Sequence, residues 1–505
     1  MAAGPGDGEP TGAPVPEAEG EVSLAVLNAI KLSLSLVATI LVAVVVRIYV
    51  PRYFSPDMFG RYSFAEAFAA TFFSFSTFGI DTYIRKEVAT RLDHANDFYA
   101  GFFVLRLLVA VLICVAMAIT LPRLSPAGAR DPMVWQLVFL FALGQIAFVD
   151  NTTLSAFLQA SGSVNELAWA NVLSKLGWCA AIFASLAMGG SIVWVAVWFS
   201  AAELAKTVFL MATAHRRLHL RWKINRRATA LVLRASLPFF LNNIALSIYA
   251  KVNIILLEHY SSPTEVGWYS AAMTIAGFSL LFLPVLQAVI MPLAARTARQ
   301  STEAMNEVMR GGSRLVVVLG TLISLCLWLH ADFVAVRCFG AAYAPAAGAL
   351  RMIAPMFPLT YMATVGSMHL IQLGRTWVLM RVSIAAVLLN PLANVPLILW
   401  GLGRGPGQAG AASAVATVLT ELVTLTVTMA LLGRAGFDRR TAVTAVKVAA
   451  ICGVIVAAHR ALQYLGIWLL PAEVVAYLAL VVALRALPVG EVAQMVAQAR
   501  RRRTA

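Results

Sequence analysis

Fourteen apolar runs, most of them long enough to cross a bilayer, follow one another along this chain with short polar interruptions. A helix needs about 20 apolar residues to span the hydrocarbon core. Runs of that kind occur near 24–46, 62–84, 98–121, 133–158, 164–187, 191–213, 236–257, 266–294, 315–331, 347–372, 377–400, 409–432, 442–464 and 467–487. The shortest, 315–331, is strongly apolar from Val316 to Leu329, and only Met188, Gly189 and Gly190 separate the fifth run from the sixth. Composition agrees: 60% of the 505 residues are hydrophobic and 12% charged, about half the charged fraction of a soluble domain. The expected fold class is all-α, a polytopic membrane protein of about 14 transmembrane helices.

Charge placement supports that reading. The net charge is +15, and the basic residues gather in short segments between runs, which fits membrane orientation better than nucleic-acid binding. With the N-terminus cytoplasmic, 23 of the 39 Lys and Arg fall in inside segments and 8 in outside segments. That asymmetry predicts both termini inside and an even number of spans. Residues 1–22 are Gly, Pro, Ala and acid, a composition that cannot pack. They lack the basic start of a signal peptide, so the first run is expected to stay as an anchor. Arg500 to Arg503 would meet the anionic inner leaflet. The five cysteines are scattered, without CxxC spacing, and read as small core residues. No HExxH, GxSxG, Walker or GxGxxG signature occurs in a suitable context. Neither a catalytic residue nor a cofactor or metal is expected.

The chain also repeats itself. Residues 53–65 read YFSPDMFGRYSFA and residues 260–272 read YSSPTEVGWYSAA. At a constant offset of 207, Tyr53/Tyr260, Ser55/Ser262, Pro56/Pro263, Gly60/Gly267, Tyr62/Tyr269, Ser63/Ser270 and Ala65/Ala272 match. Six spans separate the copies, so both halves share one orientation and are related by an axis along the membrane normal. The expected organisation is a tail over 1–22, an N-lobe over 23–213, a basic linker over 214–233 and a C-lobe over 234–432. Two extra helices over 441–487 and a basic tail over 488–505 follow. Two like-oriented bundles around a cleft form a transporter architecture.

At these residues the chain resembles the bacterial oligosaccharide flippases of the multidrug/oligosaccharidyl-lipid/polysaccharide (MOP) exporter superfamily. The resemblance rests on Arg47-Ile-Tyr-Val-Pro-Arg-Tyr, Ser55-Pro-Asp-Met-Phe-Gly60-Arg-Tyr-Ser-Phe-Ala and Phe78-Gly79-Ile80-Asp81. Further support comes from Ser236-Leu-Pro238-Phe, Glu265-Val-Gly267-Trp-Tyr-Ser-Ala-Ala and Phe339-Gly340-Ala-Ala-Tyr343-Ala-Pro345-Ala. It implies a two-lobed alternating-access fold with fourteen helices. It also implies a polyprenyl-diphosphate-linked glycan as cargo, moved from the cytoplasmic to the periplasmic leaflet for surface polysaccharide synthesis beside polymerase or export machinery. Many relatives carry an Asp in the seventh helix where this chain has Asn253.

Moving a diphosphate through an apolar slab calls for cations, and a glycan calls for a wet, hydrogen-bonding cavity. Charges inside a membrane are costly and mark function by default. Lys251, with Asn242, Asn243, Tyr249 and Asn253 nearby and no carboxylate within four residues, reads as a cavity cation for the diphosphate; snorkelling to the outer interface is the plainer alternative. Lys31, in the equivalent first helix, fits inward snorkelling slightly better. Arg106 and Lys175 lie nearer mid-membrane and read either as lumen cations or as partners of Asp150 or Glu166. Glu203 and Lys206 are i,i+3 neighbours, for which mutual neutralisation is the simpler reading. Glu66 could pair with Arg47 or Arg61 near the outer mouth, as a gate or as a local ion pair. Glu421, among Thr417, Thr420 and Thr424, reads as a coupling carboxyl or a structural one. Pro238, Pro284, Pro391 and Pro396 are expected to let helices bend.

Two other readings compete with a flippase. A drug or cation antiporter of the same fold would favour aromatic and acidic pocket groups over lysines. A membrane glycan polymerase, ligase or glycosyltransferase would need a large loop for its catalytic residues, and the longest outside loop, between 121 and 133, is about a dozen residues.

Overall fold

The computed structural model describes residues 37–81, 95–126, 128–218, 224–280 and 282–486, together with Ser35 and Ile84. The described residues form helices without strands. In chain order these are α1 (37–53), α2 (Pro56–Phe73), α3 (Ala95–Leu124), α4 (Pro132–Ala160), α5 (Val164–Ala187), α6 (Ile192–Leu218), α7 (Arg226–Tyr260) and α8 (Pro263–Ser279). There follow α9 (Phe282–Ala298), α10 (Thr302–Leu329), α11 (Ala331–Phe339), α12 (Ala346–Ile353), α13 (Met356–Gln372), α14 (Thr376–Gly401), α15 (Gln408–Leu432), α16 (Arg439–Leu462) and α17 (Leu469–Ala483). Eight of them are, by length and composition, long and apolar enough to cross a membrane. Lys31, the acidic N-terminal stretch and the C-terminal arginines lie outside the described residues.

Helix starts follow local chemistry. Ser55, Asp131, Asn225, Ser262, Ser301 and Asp438 each accept a first-turn backbone N–H with the side chain, which satisfies a donor the helix leaves open. Prolines stand at the first position of α2, α4 and α8, where a missing N–H costs nothing. Three runs expected as single helices are broken: the 62–84 run leaves α2 after Phe73 and turns at Phe78 and Gly79, both at positive φ. The 266–294 run divides into α8 and α9 around Leu280, and the 347–372 run into α12 and α13 around Ala354 and Pro355. Pro355 has no N–H to continue the α12 ladder, although Ala354 itself keeps helical backbone angles. Pro391 and Pro396, by contrast, lie inside a continuous α14. The stretch expected as a linker is partly helical, since α6 runs to Leu218 and α7 begins at Arg226.

Outward faces are apolar. On α3, Leu107, Leu108, Val111, Leu112 and Val115 are exposed, a surface suited to lipid rather than water. Packing repeats between halves: α4 lies against α6 and α2, while its counterparts α12 and α13 lie against α15, and α12 lies against α8. One core, holding Phe59, Phe64 and Phe68 beside Val266, Tyr269 and Ala272, spans both halves. A second core gathers around Ile80, Phe157 and Leu210 of the N-half and takes in Val232 of α7, and a third, around Ile290, Met309 and Val365, joins the C-half to α16 and α17. The last pair, α16 and α17, packs on α10.

The shared core is built on the repeat. α2 and α8 cross at Gly60 and Gly267. A Cβ on Gly60 would stand 1.7 Å from the Pro263 carbonyl oxygen, and one on Gly267 would stand 1.9 Å from that of Pro56. Each motif's glycine is thus seated on the other motif's proline. No residue with a side chain fits either place.

Candidate functional site

Beside this crossing lies a cavity of about 260 Å³. Its wall comes from α1 and α2 on one side, α7 and α8 on the other, with Phe141, Lys175, Trp178 and Phe199 of α4, α5 and α6 closing the flank. The repeat places this wall in register. Ala43/Ala250, Arg47/Ile254, Tyr62/Tyr269, Ser63/Ser270 and Glu66/Met273 all line it, each pair at the same offset of 207. Both helices of each pair therefore present the same face to the space between halves.

Three cations and one carboxylate reach the wall. Arg47 Nη2 donates to Glu66 Oε1 at 3.1 Å. Lys175 Nζ lies 3.4 Å from Glu203 Oε1, a buried carboxylate behind the wall, and sits over the Trp178 ring at 4.9 Å. Lys251 has neither hydrogen bond nor ion pair with any described residue, although Glu66 lies in the electric field of Lys251, Arg47 and Lys175 together. Two of the three positive charges are thus locally neutralised, and Lys251 carries the surplus. Tyr62, Ser63, Ser270 and Thr274 add polar residues to the lining, the Tyr269 ring lines it while its hydroxyl is bonded to Asn253 behind the wall, and Phe59, Phe141 and Phe199 supply apolar surface.

Of the residues singled out in the sequence, the structure brings Lys251, Lys175, Arg47 and Glu66 together here. Arg106 takes the ion-pair alternative rather than the lumen one: it is buried in the N-half, 3.3 Å from Asp150 Oδ1 and 3.8 Å from Asp81 Oδ1, with carbonyls of Ser76, Thr77 and Val149 within reach. Five acceptors hold that guanidinium away from the cavity. Asn253 also turns away from the cavity, into the C-half. Its Nδ2 donates to Tyr269 and Thr417, and its Oδ1 accepts from Asn394 at 2.6 Å. Glu421 accepts the Tyr249 hydroxyl at 2.7 Å, on the far side of α7 from the cavity. Arg61 joins Asp57 at 2.9 Å and Asp131 rather than Glu66. Asn243 does not line the wall; the side chain of Asn242, like Lys31, lies outside what is described. The expected Glu203–Lys206 pair does not form. Glu203 points inward between α4 and α5 and accepts from Asn151 at 2.9 Å as well as from Lys175. Glu166 pairs with Arg217. Sequence reasoning missed Tyr62, Ser63, Tyr269 and Ser270 as lining residues, although the repeat had already set them in register.

Comparison with known proteins decides the family. The model of the polysaccharide biosynthesis protein family matches residues 25–298, more than half of the chain. The chain belongs to this family. A second family model, MatE, matches residues 238–395, and the resemblance to the MOP superfamily is thereby confirmed. A protein of Escherichia coli (strain K12), named as a candidate O-antigen transporter, is 22% identical over 365 residues, which cover 69% of this chain and 84% of that one. Among solved structures, the lipid II flippase MurJ in an inward closed conformation matches with a TM-score of 0.67 at 14% identity, over 91% of this chain and 99% of its own. An inward-facing MATE family multidrug resistance transporter of the MOP superfamily matches at 0.61 and 15% identity, over 78% and 93%. The fold is that of these transporters, and the chain is a multi-pass membrane protein of a transport family rather than an enzyme.

Proposed function

We propose that this protein is a flippase for a polyprenyl-diphosphate-linked oligosaccharide, which it carries from the cytoplasmic to the periplasmic leaflet by alternating access. The observation that carries this reading is the cavity between two repeat-related bundles with Lys251 as its uncompensated cation. A diphosphate brings the negative charge that Lys251 lacks, with Arg47 and Lys175 close enough to share it. Tyr62, Ser63 and Thr274 supply hydroxyls for the glycan. In the inner membrane with both termini cytoplasmic, as the Lys and Arg asymmetry supports, the α2–α8 crossing lies at the periplasmic end and closes it. The cavity is then reached from the cytoplasmic side. The antiporter reading fits less well, because a positively charged wall repels a cationic drug. Polymerase or export machinery is the natural downstream partner of the glycan so delivered.

The test is flipping of a fluorescent polyprenyl-diphosphate oligosaccharide in proteoliposomes. Lys251→Gln is expected to lower the rate at least tenfold with normal insertion and yield, while Lys251→Arg retains most of it. A wild-type rate in Lys251→Gln removes the cavity from the transport path.

A further inference from the structure

Away from the cavity, three helices bring metal-ligand side chains to one point. His330 ends α10, His459 lies in the last turn of α16, and Glu473 lies in the first turns of α17. Glu473 Oε2 is 2.8 Å from His330 Nε2, and its Oε1 is 2.7 Å from His459 Nδ1. The two rings stand edge to face with centroids 5.3 Å apart. The three donor atoms all lie within 4.8 Å of one another. His330 and Glu473 are buried, and His459 is one-fifth exposed, which leaves a way in from outside.

A carboxylate can only accept, so each ring turns an N–H toward Glu473 when no ion is bound. Two imidazoles and one carboxylate are also a set that zinc takes, with nitrogen and oxygen about 2.0–2.2 Å from the ion and tetrahedral geometry. That geometry separates neighbouring donors by ~3.3 Å. The hydrogen-bonded N–O pairs need to part by only ~0.5 Å to admit it. Each neutral ring then carries its proton on the nitrogen facing away, so no proton need be released. The ion leaves one charge uncancelled instead of a lone buried carboxylate.

We propose that His330, His459 and Glu473 form a binding site for a divalent transition-metal ion of the zinc type, with water in the fourth position. The site staples the added pair α16–α17 to α10. It also fixes the start of α11, whose far end is tied to the N-half: Arg52 Nη2 donates to the Arg337 carbonyl at 2.6 Å, and Tyr343 Oη donates to that of Phe54 at 3.3 Å. The metal therefore sits at the same end of the molecule as the α2–α8 crossing.

The experiment uses the full-length, tag-free protein in detergent, stripped with a chelator and titrated with Zn²⁺ by calorimetry and with Co²⁺ by absorption. One equivalent of zinc, a tetrahedral cobalt d–d band and a zinc-dependent rise in Tm are expected. His459→Gln, His330→Gln and Glu473→Gln are each expected to weaken binding at least tenfold. His459 is the most exposed of the three, so its variant decides the matter if the buried ones fail to fold. Absence of a high-affinity equivalent in the wild type, or unchanged affinity in His459→Gln, overturns the site and leaves a hydrogen-bonded triad.

Discussion

The two sides of the cavity are the same structure bearing different chemistry. At the shared offset, Tyr62 and Ser63 face Tyr269 and Ser270, yet the Arg47–Glu66 ion pair of the N-half is replaced by Ile254 and Met273 in the C-half. The C-half contributes Lys251 instead, at a position where the N-half has Val44. Behind the wall the contrast persists. The N-half interior is ionic, with Arg106 between Asp81 and Asp150 and Lys175 on Glu203. Directly behind the C-half wall the network is uncharged, with Asn253, Asn394, Thr417 and Tyr269 bonded to one another, while the buried carboxyls Glu265 and Glu421 lie beyond it. Duplication fixed the backbone and the seal, while the charges followed no symmetry. An anionic headgroup would accordingly meet a neutralised pair on one face and a bare cation on the other.

The comparison breaks most sharply at the crossing. Gly60→Ala and Gly267→Ala each force a Cβ onto a carbonyl, and overpacking of this kind costs ~3 kcal/mol. Thermal unfolding in detergent should show two losses of equal size; a clear inequality would deny that the motifs are reciprocal. A smaller effect is expected from the ion pair. Arg47 is half exposed, so a double-mutant cycle of Arg47→Ile with Glu66→Met should give a coupling of ~1 kcal/mol or less. That double variant makes the N-half wall match the C-half. If it flips the glycan as well as the wild type, the pair is structural; a loss confined to the single variants marks an unpaired charge as the cause. The smallest change is expected at Glu421→Gln, which keeps an acceptor for Tyr249. Flipping in vesicles with and without a proton or sodium gradient checks it, and an altered gradient dependence would assign coupling to the C-half.

Much of this was legible in the residues because periodicity and repetition are local. The apolar runs gave the helices, and the offset of 207 gave the symmetry and, unremarked, half of the cavity wall. Lys251 was legible as a cation without a nearby carboxylate in its own helix. Glu203 was not, since its partners Asn151 and Lys175 come from other helices and helical spacing says nothing of which helix packs where. Asn253 failed for a related reason: it lies two residues from Lys251, about 200° around the helix, so only packing reveals that its face is the buried one. The breaks at Leu280 and Ala354 were hidden inside unbroken hydrophobicity, where the period of a straight helix continues across the interruption.

The seating of glycine on proline also has a mechanical side. It lies near one end of α2, with 13 residues, ~20 Å of helix, running from Gly60 to Phe73. Such a contact has no side chain to unhook and acts as a fulcrum. A tilt of about 20° about it would swing the far end of the helix through ~7 Å, so a slight rocking at the seal becomes a wide stroke at the opposite mouth.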